Sequence, residues 1–200
     1  QRNNQKLIEE SDSTMLPEHW KQAVLEYARK IADAVDYTGV GTVEFIYDVP
    51  NDAVYFMEMN TRLQVEHPVT EFVTGVDIVE KQFQIASGES IEDINYESDG
   101  YAIEVRVNAE KAVLDAEGNV SFVPTPGEIT RCNIPKDDDF RLISIAAEGK
   151  LVSPFYDSLI IQIICHGKNR LDAIDKMANY LDGVVINGIC TNIALLKRIL

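Results

Sequence analysis

Glu58-Met59-Asn60-Thr61-Arg62-Leu63-Gln64-Val65-Glu66-His67-Pro68 sets two carboxylates, an amide and a guanidinium directly after an apolar run, Ala53-Val54-Tyr55-Phe56-Met57. The run predicts a strand. Residues two apart in a strand share a face, so Glu58 and Asn60 are expected to point the same way, with Phe56 and Val54 continuing that face. The preceding run, Gly41-Thr42-Val43-Glu44-Phe45-Ile46-Tyr47, carries a lone acid as well. If the two strands pair as a hairpin around Val49-Pro50-Asn51-Asp52, equal spacing from Asn51 sets Glu44 opposite Glu58, where like charges destabilise a sheet. At about 5 Å and an effective dielectric of about 20, the repulsion is roughly 3 kcal/mol. Either one acid is protonated or a cation sits between them. Two carboxylates and a neighbouring amide oxygen are hard ligands, a set suited to Mg or Mn with much of the remaining shell left to water and nucleotide phosphates.

Taken singly, each strand acid reads as a solvated side chain on the open face of an antiparallel sheet; the joint register with Asn60 is what points to a metal site. Arg62, Gln64 and Glu66 read either as an ordinary polar loop or as an anion site. In the second reading Arg62 holds a small anion, and Glu66, placed just ahead of the rigid Pro68, accepts its proton. His67 by itself reads as a helix-capping or satisfied core histidine.

Outward from this segment, Leu16-Pro17 opens a helix whose Trp20, Val24, Tyr27, Ala28, Ile31 and Val35 recur at helical spacing, with Gly39 as its stop. A helical stretch from Pro68 to about Ser87 is interrupted at Gly75-Val76-Asp77, and its Ile78, Val79, Phe83 and Ile85 are expected in the core. The acidic segment from Gly88 to Gly100 reads as a linker. Beyond it lie short β-rich runs, Tyr101 to Asn108, Glu128 to Asn133, Phe140 to Ala146 and Ser158 to His166, separated by Pro or Gly turns. An amphipathic helix over Leu171 to Leu181 follows, and the chain stops inside a further helical pattern. The fold class predicted is α+β: an α+β half-domain over residues 1–88, then a mainly antiparallel β domain with helices over residues 98–200.

The chain has 200 residues with a formal net charge of −15 and 46% hydrophobic residues, a globular composition. That charge repels nucleic acid and anionic lipid at long range, no basic stripe offsets it, and no apolar run reaches membrane-spanning length. Nucleic-acid and membrane partners are therefore not expected. Cys132, Cys165 and Cys190 are odd in number, widely spaced and set in apolar surroundings, which reads as reduced core thiols in a cytosolic compartment. With no initiator Met and no polar tail, the chain reads as a piece of a longer polypeptide.

The run from Glu58 to Thr70 with Gly75-Val76-Asp77, then Arg106-Val107-Asn108-Ala109-Glu110, Pro124-Thr125-Pro126-Gly127 and Tyr156-Asp157-Ser158, closely resembles the biotin carboxylases of the ATP-grasp superfamily. The likeness runs in order through nearly all of the chain. It implies that residues 1–88 are the C-terminal part of an ATP-grasp domain and residues 98–200 the biotin carboxylase C-terminal domain. The N-terminal domain and the glycine-rich lid would lie outside these residues, leaving the chain inactive in isolation. The family carboxylates N1 of biotin on a carrier protein, using bicarbonate, ATP and two divalent ions, Mg or Mn. By resemblance Glu44, Glu58 and Asn60 are metal ligands, with Gln1, Asn4, Glu44 and Glu58 on the ATP side. Lys6, Arg62, Gln64 and the backbone of Val65 surround bicarbonate, Glu66 is the general base, and Arg141 stabilises the biotin enolate. From the residues alone Arg141 is a surface arginine beside Asp137-Asp138-Asp139. The implied partners are a biotin carboxyl carrier protein or domain, a carboxyltransferase subunit and a second copy in a homodimer. The implied compartment is cytoplasmic, or the mitochondrial matrix in a eukaryote.

Some positions depart from the pattern. Asn4 stands where the family usually has a histidine, the turn over Val49 to Asp52 is about two residues longer, the 111–120 segment replaces a shorter stretch, and Ile161-Gln162 replaces a common Gly-Lys. Two other readings compete with a carboxylase of acetyl-CoA, propionyl-CoA or pyruvate: another ATP-grasp ligase such as a carbamoyl phosphate synthetase, and a non-catalytic ATP-grasp-derived scaffold.

Overall fold

The computed structural model describes residues 5–91, 94, 97–114, 116, 117 and 120–200. In chain order the elements are β1 (Ile8–Glu10), α1 (Glu18–Ala34), β2 (Thr42–Asp48), β3 (Ala53–Asn60), α2 (His67–Thr74), α3 (Ile78–Ala86), β4 (Tyr101–Asn108), β5 (Glu110–Leu114) and β6 (Val120–Pro124). They continue with β7 (Gly127–Glu128), β8 (Arg131–Asn133), β9 (Phe140–Ser144), β10 (Leu151–Val152), β11 (Leu159–Gly167), α4 (Arg170–Gly183), β12 (Val185–Asn187) and α5 (Ile193–Ile199). The chain divides into two compact units, Asp12–Ser98 and Gln1–Ser11 with Asp99–Leu200. Mixed helices and antiparallel ribbons make it α+β, as the patterning predicts.

In the larger unit an antiparallel sheet runs in the order β1-β4-β11-β9. Its central strands are β-branched and apolar on one face, where Ile103, Val105, Val107, Ile161, Ile163 and Cys165 are fully buried. The face packs on Ala173, Met177, Tyr180 and Leu181 of α4. Each such side chain removed from water stabilises the fold by roughly 1.5–3 kcal/mol before entropy is charged. The other face carries buried Glu9, Glu104 and Gln162 beside Arg106. Arg106 pairs with Glu9 at 2.7 Å, and Gln162 donates to Glu104 at 2.9 Å, so the polar groups sit on charge partners rather than on apolar neighbours. The edge strand β1 is tied down by Arg170, which reaches Glu10 at 2.6 and 2.9 Å, and by the Tyr101 hydroxyl donating to the same carboxylate.

Among the described residues this unit also holds three two-stranded ribbons: β5 with β6, β7 with β10, and β8 with β12. The single strand expected over Glu128 to Asn133 is thus split between two partners, β7 facing β10 and β8 facing β12. Just after β12 Gly188 has φ +96°, and a Cβ there would collide with the Glu128 carbonyl, so only glycine fits. The ribbon strands are too short for periodicity to announce them.

In the smaller unit α1 ends at Ala34, before the expected stop at Gly39. The chain leaves the helix at Asp36, whose φ is +48°, while Tyr37 N–H returns to the Ala32 carbonyl. The break before α3 falls where Gly75 adopts the left-handed C-cap of α2 and Asp77 caps α3 by accepting from Glu80 N–H. Expected burial fails at two places: no residue of α3 is buried, Ile78, Val79 and Ile85 being half-buried and Phe83 72% exposed, and of the three expected core thiols only Cys165 is buried, Cys132 being half-buried and Cys190 exposed.

Candidate functional site

Strands β2 and β3 form the expected antiparallel hairpin. Its turn is tied to α1, since Asp52, at φ +45°, accepts from Trp20 Nε1 at 2.8 Å and Tyr47 OH at 3.0 Å. Asp48 accepts from Asn51 Nδ2 at 2.7 Å and closes the loop from the other side. Near the turn the pairing is Asp48 with Ala53 through Phe45 with Phe56. The register then shifts by one residue, and Glu44 pairs with Glu58, Val43 with Met59 and Thr42 with Asn60.

The predicted opposition of the two acids is present, but a symmetric turn is not its cause. Pairing carried straight from the turn would set Glu44 against Met57; the irregularity at Met57 inserts one residue and brings Glu58 into place. One expectation is corrected by it. Phe56 pairs with Phe45 and Glu58 with Glu44, and adjacent β2 residues face opposite sides, so Phe56 and Glu58 do not share a face. The bulge lets aromatic residues pack on one side, Phe45 against Phe56 at 6.3 Å and Tyr27 against Phe45 at 6.4 Å, while both carboxylates gather on the other.

There Asn60 Nδ2 donates to Glu44 Oε1 at 3.1 Å and to Glu58 Oε1 at 2.9 Å, and Gln64 Nε2 donates to the same Glu44 oxygen at 3.0 Å. Arg62 reaches Asn60 Oδ1 at 3.4 Å and the Leu63 carbonyl at 3.3 Å. Amide hydrogens thus bridge the two acids here, and Asn60 must turn its amide over to offer an oxygen to a cation. Among the described residues no group of three or more His, Cys, Asp or Glu gathers to hold a metal; the donor set is two carboxylates and an amide. Gln64 is buried, and its Oε1 has no hydrogen-bond partner among the described residues. An orphaned buried acceptor costs about 1–3 kcal/mol, and a ligand bringing an O–H or N–H would recover it.

Glu66 is the N-cap position of α2, half-buried beside the exposed Val65. His67 is a satisfied histidine: Nδ1 meets the Gln64 carbonyl at 2.8 Å, and Nε2 lies 3.9 Å from Glu71 Oε1. Glu71, buried and absent from the expected site, accepts from Ile78 N–H at 2.8 Å and locks the corner between α2 and α3. Glu71, His67 and Gln64 form a series ending on Glu44. Its only sequence signal was the helical i,i+4 spacing of His67 and Glu71.

The structure brings together Glu44, Glu58, Asn60, Arg62 and Gln64, with Val65 and Glu66 next along the loop, all in the Asp12–Ser98 unit. Lys6 and Arg141 belong to the other unit, Lys6 just ahead of β1 and Arg141 exposed on β9 opposite Ile164. Gln1 and Asn4 lie outside the described residues.

Two family models match the chain. That of the carbamoyl-phosphate synthase L chain, ATP binding domain, matches residues 1–94, and that of the biotin carboxylase C-terminal domain matches residues 104–200. Biotin carboxylase 1 of Bacillus subtilis is 45% identical over all of this chain and 44% of its own length. The crystal structure of urea carboxylase from Kluyveromyces lactis superposes with TM-score 0.90 at 40% identity, over 100% of this chain and 17% of that one. The biotin carboxylase domain dimer of Hydrogenobacter thermophilus 2-oxoglutarate carboxylase, in complex with MgADP, ADP and bicarbonate, gives 0.89 at 39% identity over 100% and 43%. The chain spans less than half the length of the relatives it matches.

Proposed function

From the premise that this chain belongs to the biotin carboxylase family, we propose that it is the C-terminal part of an enzyme that carboxylates biotin N1 with bicarbonate and ATP. Residues 1–88 then complete the ATP-grasp domain, and residues 98–200 form the biotin carboxylase C-terminal domain. The observation that carries the reading is the facing pair Glu44 and Glu58, held on one amide and continuous with the Arg62–Glu66 loop.

Glu44, Glu58 and a turned Asn60 would hold the divalent ions, Mg or Mn, which supply neutralising charge beside the nucleotide phosphates. The donor chemistry fits, because two anionic oxygens already converge on one point. Arg62 binds the bicarbonate anion, with Gln64 and the Val65 N–H orienting it. Glu66 takes the bicarbonate proton, so that its oxygen attacks the γ-phosphorus of ATP, the bond to the β–γ bridging oxygen breaks, ADP leaves and carboxyphosphate forms. Decomposition gives carbon dioxide and phosphate; the phosphate removes the N1 proton of biotin, Arg141 stabilises the ureido oxyanion, and N1 attacks the carbon dioxide to give carboxybiotin. Gln1 and Asn4 are assigned to ATP.

The partners that follow are a biotin carboxyl carrier protein or domain, a carboxyltransferase and a second copy in a homodimer. The final acceptor, acetyl-CoA, propionyl-CoA or pyruvate, is chosen by the carboxyltransferase. By the family resemblance the compartment is the cytoplasm, or the mitochondrial matrix in a eukaryote. The test is ATP hydrolysis by the complete polypeptide with and without bicarbonate and free biotin. Bicarbonate-dependent hydrolysis that biotin accelerates is the expected result. Hydrolysis indifferent to both points to another ligase, and none at all to a scaffold.

A further inference from the structure

We propose that helix α4 is a jig for Arg141, with Tyr180 and Gly183 as the residues that set the position of its guanidinium. The proposal rests on the assignment of Arg141 to biotin. Among the described residues strand β9 is an edge strand, hydrogen-bonded on one side, to β11. An edge strand of five residues has half the ladder of a central one to fix its roll and register. The segment that leads into it, residues 133–140, is held instead along one side of α4.

The contacts run in sequence. Asn133 Nδ2 donates to the Gly183 carbonyl at 3.4 Å. Pro135 approaches Gly183 so closely that a Cβ there would stand 2.7 Å from the proline Cγ. Tyr180 OH donates to the Pro135 carbonyl at 2.6 Å. The tyrosine ring stacks on Phe140 with centroids 4.0 Å apart and planes 21° from parallel. Lys176 faces Asp139 at 4.0 Å. The turn between is closed by Phe140 N–H on the Asp137 carbonyl at 3.2 Å and Asp139 N–H on the Asp137 side chain at 3.0 Å.

Phe140 and Arg141 are neighbours on β9 and face opposite sides of the sheet. Phe140, paired with Cys165, packs on the core, and Arg141, paired with Ile164, emerges on the other side. Any roll or slide of the Phe140 ring is therefore passed to the Arg141 backbone across a single peptide. Tyr180 fixes that ring by its own ring and fixes the approaching chain by its hydroxyl, so one buried side chain determines both. A guanidinium that must meet a developing oxyanion tolerates little displacement, since misplacements of about 1 Å can cost on the order of 100-fold in rate.

The test uses the complete enzyme and two activities, biotin carboxylation and biotin-independent, bicarbonate-dependent ATP hydrolysis. Tyr180→Phe keeps the stack and removes the hydroxyl bond; it should lower kcat/KM for free biotin about 5-fold, the factor carried by one net hydrogen bond. Tyr180→Leu removes both contacts and Gly183→Ala displaces Pro135; each should cost about 10- to 100-fold in biotin carboxylation. ATP hydrolysis should stay near the parent value in all three. In an Arg141→Ala background Tyr180→Phe should add no further loss. Equal loss of both activities, or a loss that multiplies with that of Arg141→Ala, overturns the jig and leaves Tyr180 a merely structural residue. Should Tyr180→Leu fail to fold, Tyr180→Phe still decides. If Arg141→Ala itself spares biotin carboxylation, the assignment of Arg141 is what fails, and the jig falls with it.

Discussion

Replacing Glu58 with Gln should make the Asp12–Ser98 unit more stable while removing a metal ligand, an opposition that a solvated surface acid would not produce. Glu44 and Glu58 accept from one amide nitrogen at 3.1 and 2.9 Å. Because the two hydrogens of an amide diverge by about 120°, the oxygens stand about 5 Å apart. At an effective dielectric of about 20 that spacing corresponds to roughly 3 kcal/mol of repulsion. Glu58 is exposed, so solvent screening leaves about half of this, and a neutral acceptor for Asn60 Nδ2 forfeits a few tenths of a kcal/mol more. A net gain of about 1 kcal/mol is expected. Trp20, the sole tryptophan, belongs to this unit and bonds the hairpin turn, so its fluorescence during urea unfolding reports the unit directly. With an m-value near 2 kcal/mol per molar, the midpoint should rise by about 0.5 M at low salt. The gain should vanish in 1 M NaCl, where the screening length falls to about 3 Å. Magnesium should stabilise the parent and not the variant. An unchanged or lowered midpoint at low salt would refute the reasoning.

Arg170→Gln should loosen β1 by about 1 kcal/mol at pH 7, allowing for the partial exposure of the pair. The Arg170 hydrogen bond, first among its influences, holds the Glu10 carboxyl below its ordinary value of 4.5, so this stability is present above that value and lost as pH falls through the lower folded one; parent and variant unfolding curves should converge in acid. Under native conditions at pH 8 iodoacetamide should label the exposed Cys190 and spare Cys165, whose thiol burial pushes up to about 12, until the protein is denatured, as peptide mass analysis can follow. Ile163→Ala, at a fully buried site in the central strand, should cost about 4 kcal/mol in equilibrium unfolding of the larger unit.

The two-strand ribbon and its facing acids were legible because strand period and charge placement are local. The bulge at Met57 was not: counting from Asn51 reached the right pair through a symmetry the turn lacks, and so misplaced the face of Phe56. α2 and α3 carried their own punctuation in Gly75 and Asp77, whereas the end of α1 rests on Asp36 entering the left-handed region, which no residue type announces. Phe83 fits a helical stripe by spacing, yet spacing cannot tell which stripe a neighbour covers. β1 and the short ribbons depend on partners far along the chain, as in the pairing of Ile8 with Val105. Arg62 to Glu66 could be read as an anion loop from residue chemistry, while Arg141, beside three aspartates, had meaning only through resemblance. Glu71 and Tyr180 act through other residues, so nothing in their own types marked them.

The most direct test of the central claim is the anomalous scattering of manganese in crystals of the complete enzyme grown with ADP. A peak within coordination distance of both Glu44 and Glu58 is the predicted result. Nucleotide bound with manganese lying elsewhere, and no anomalous density between these two carboxylates, would contradict it.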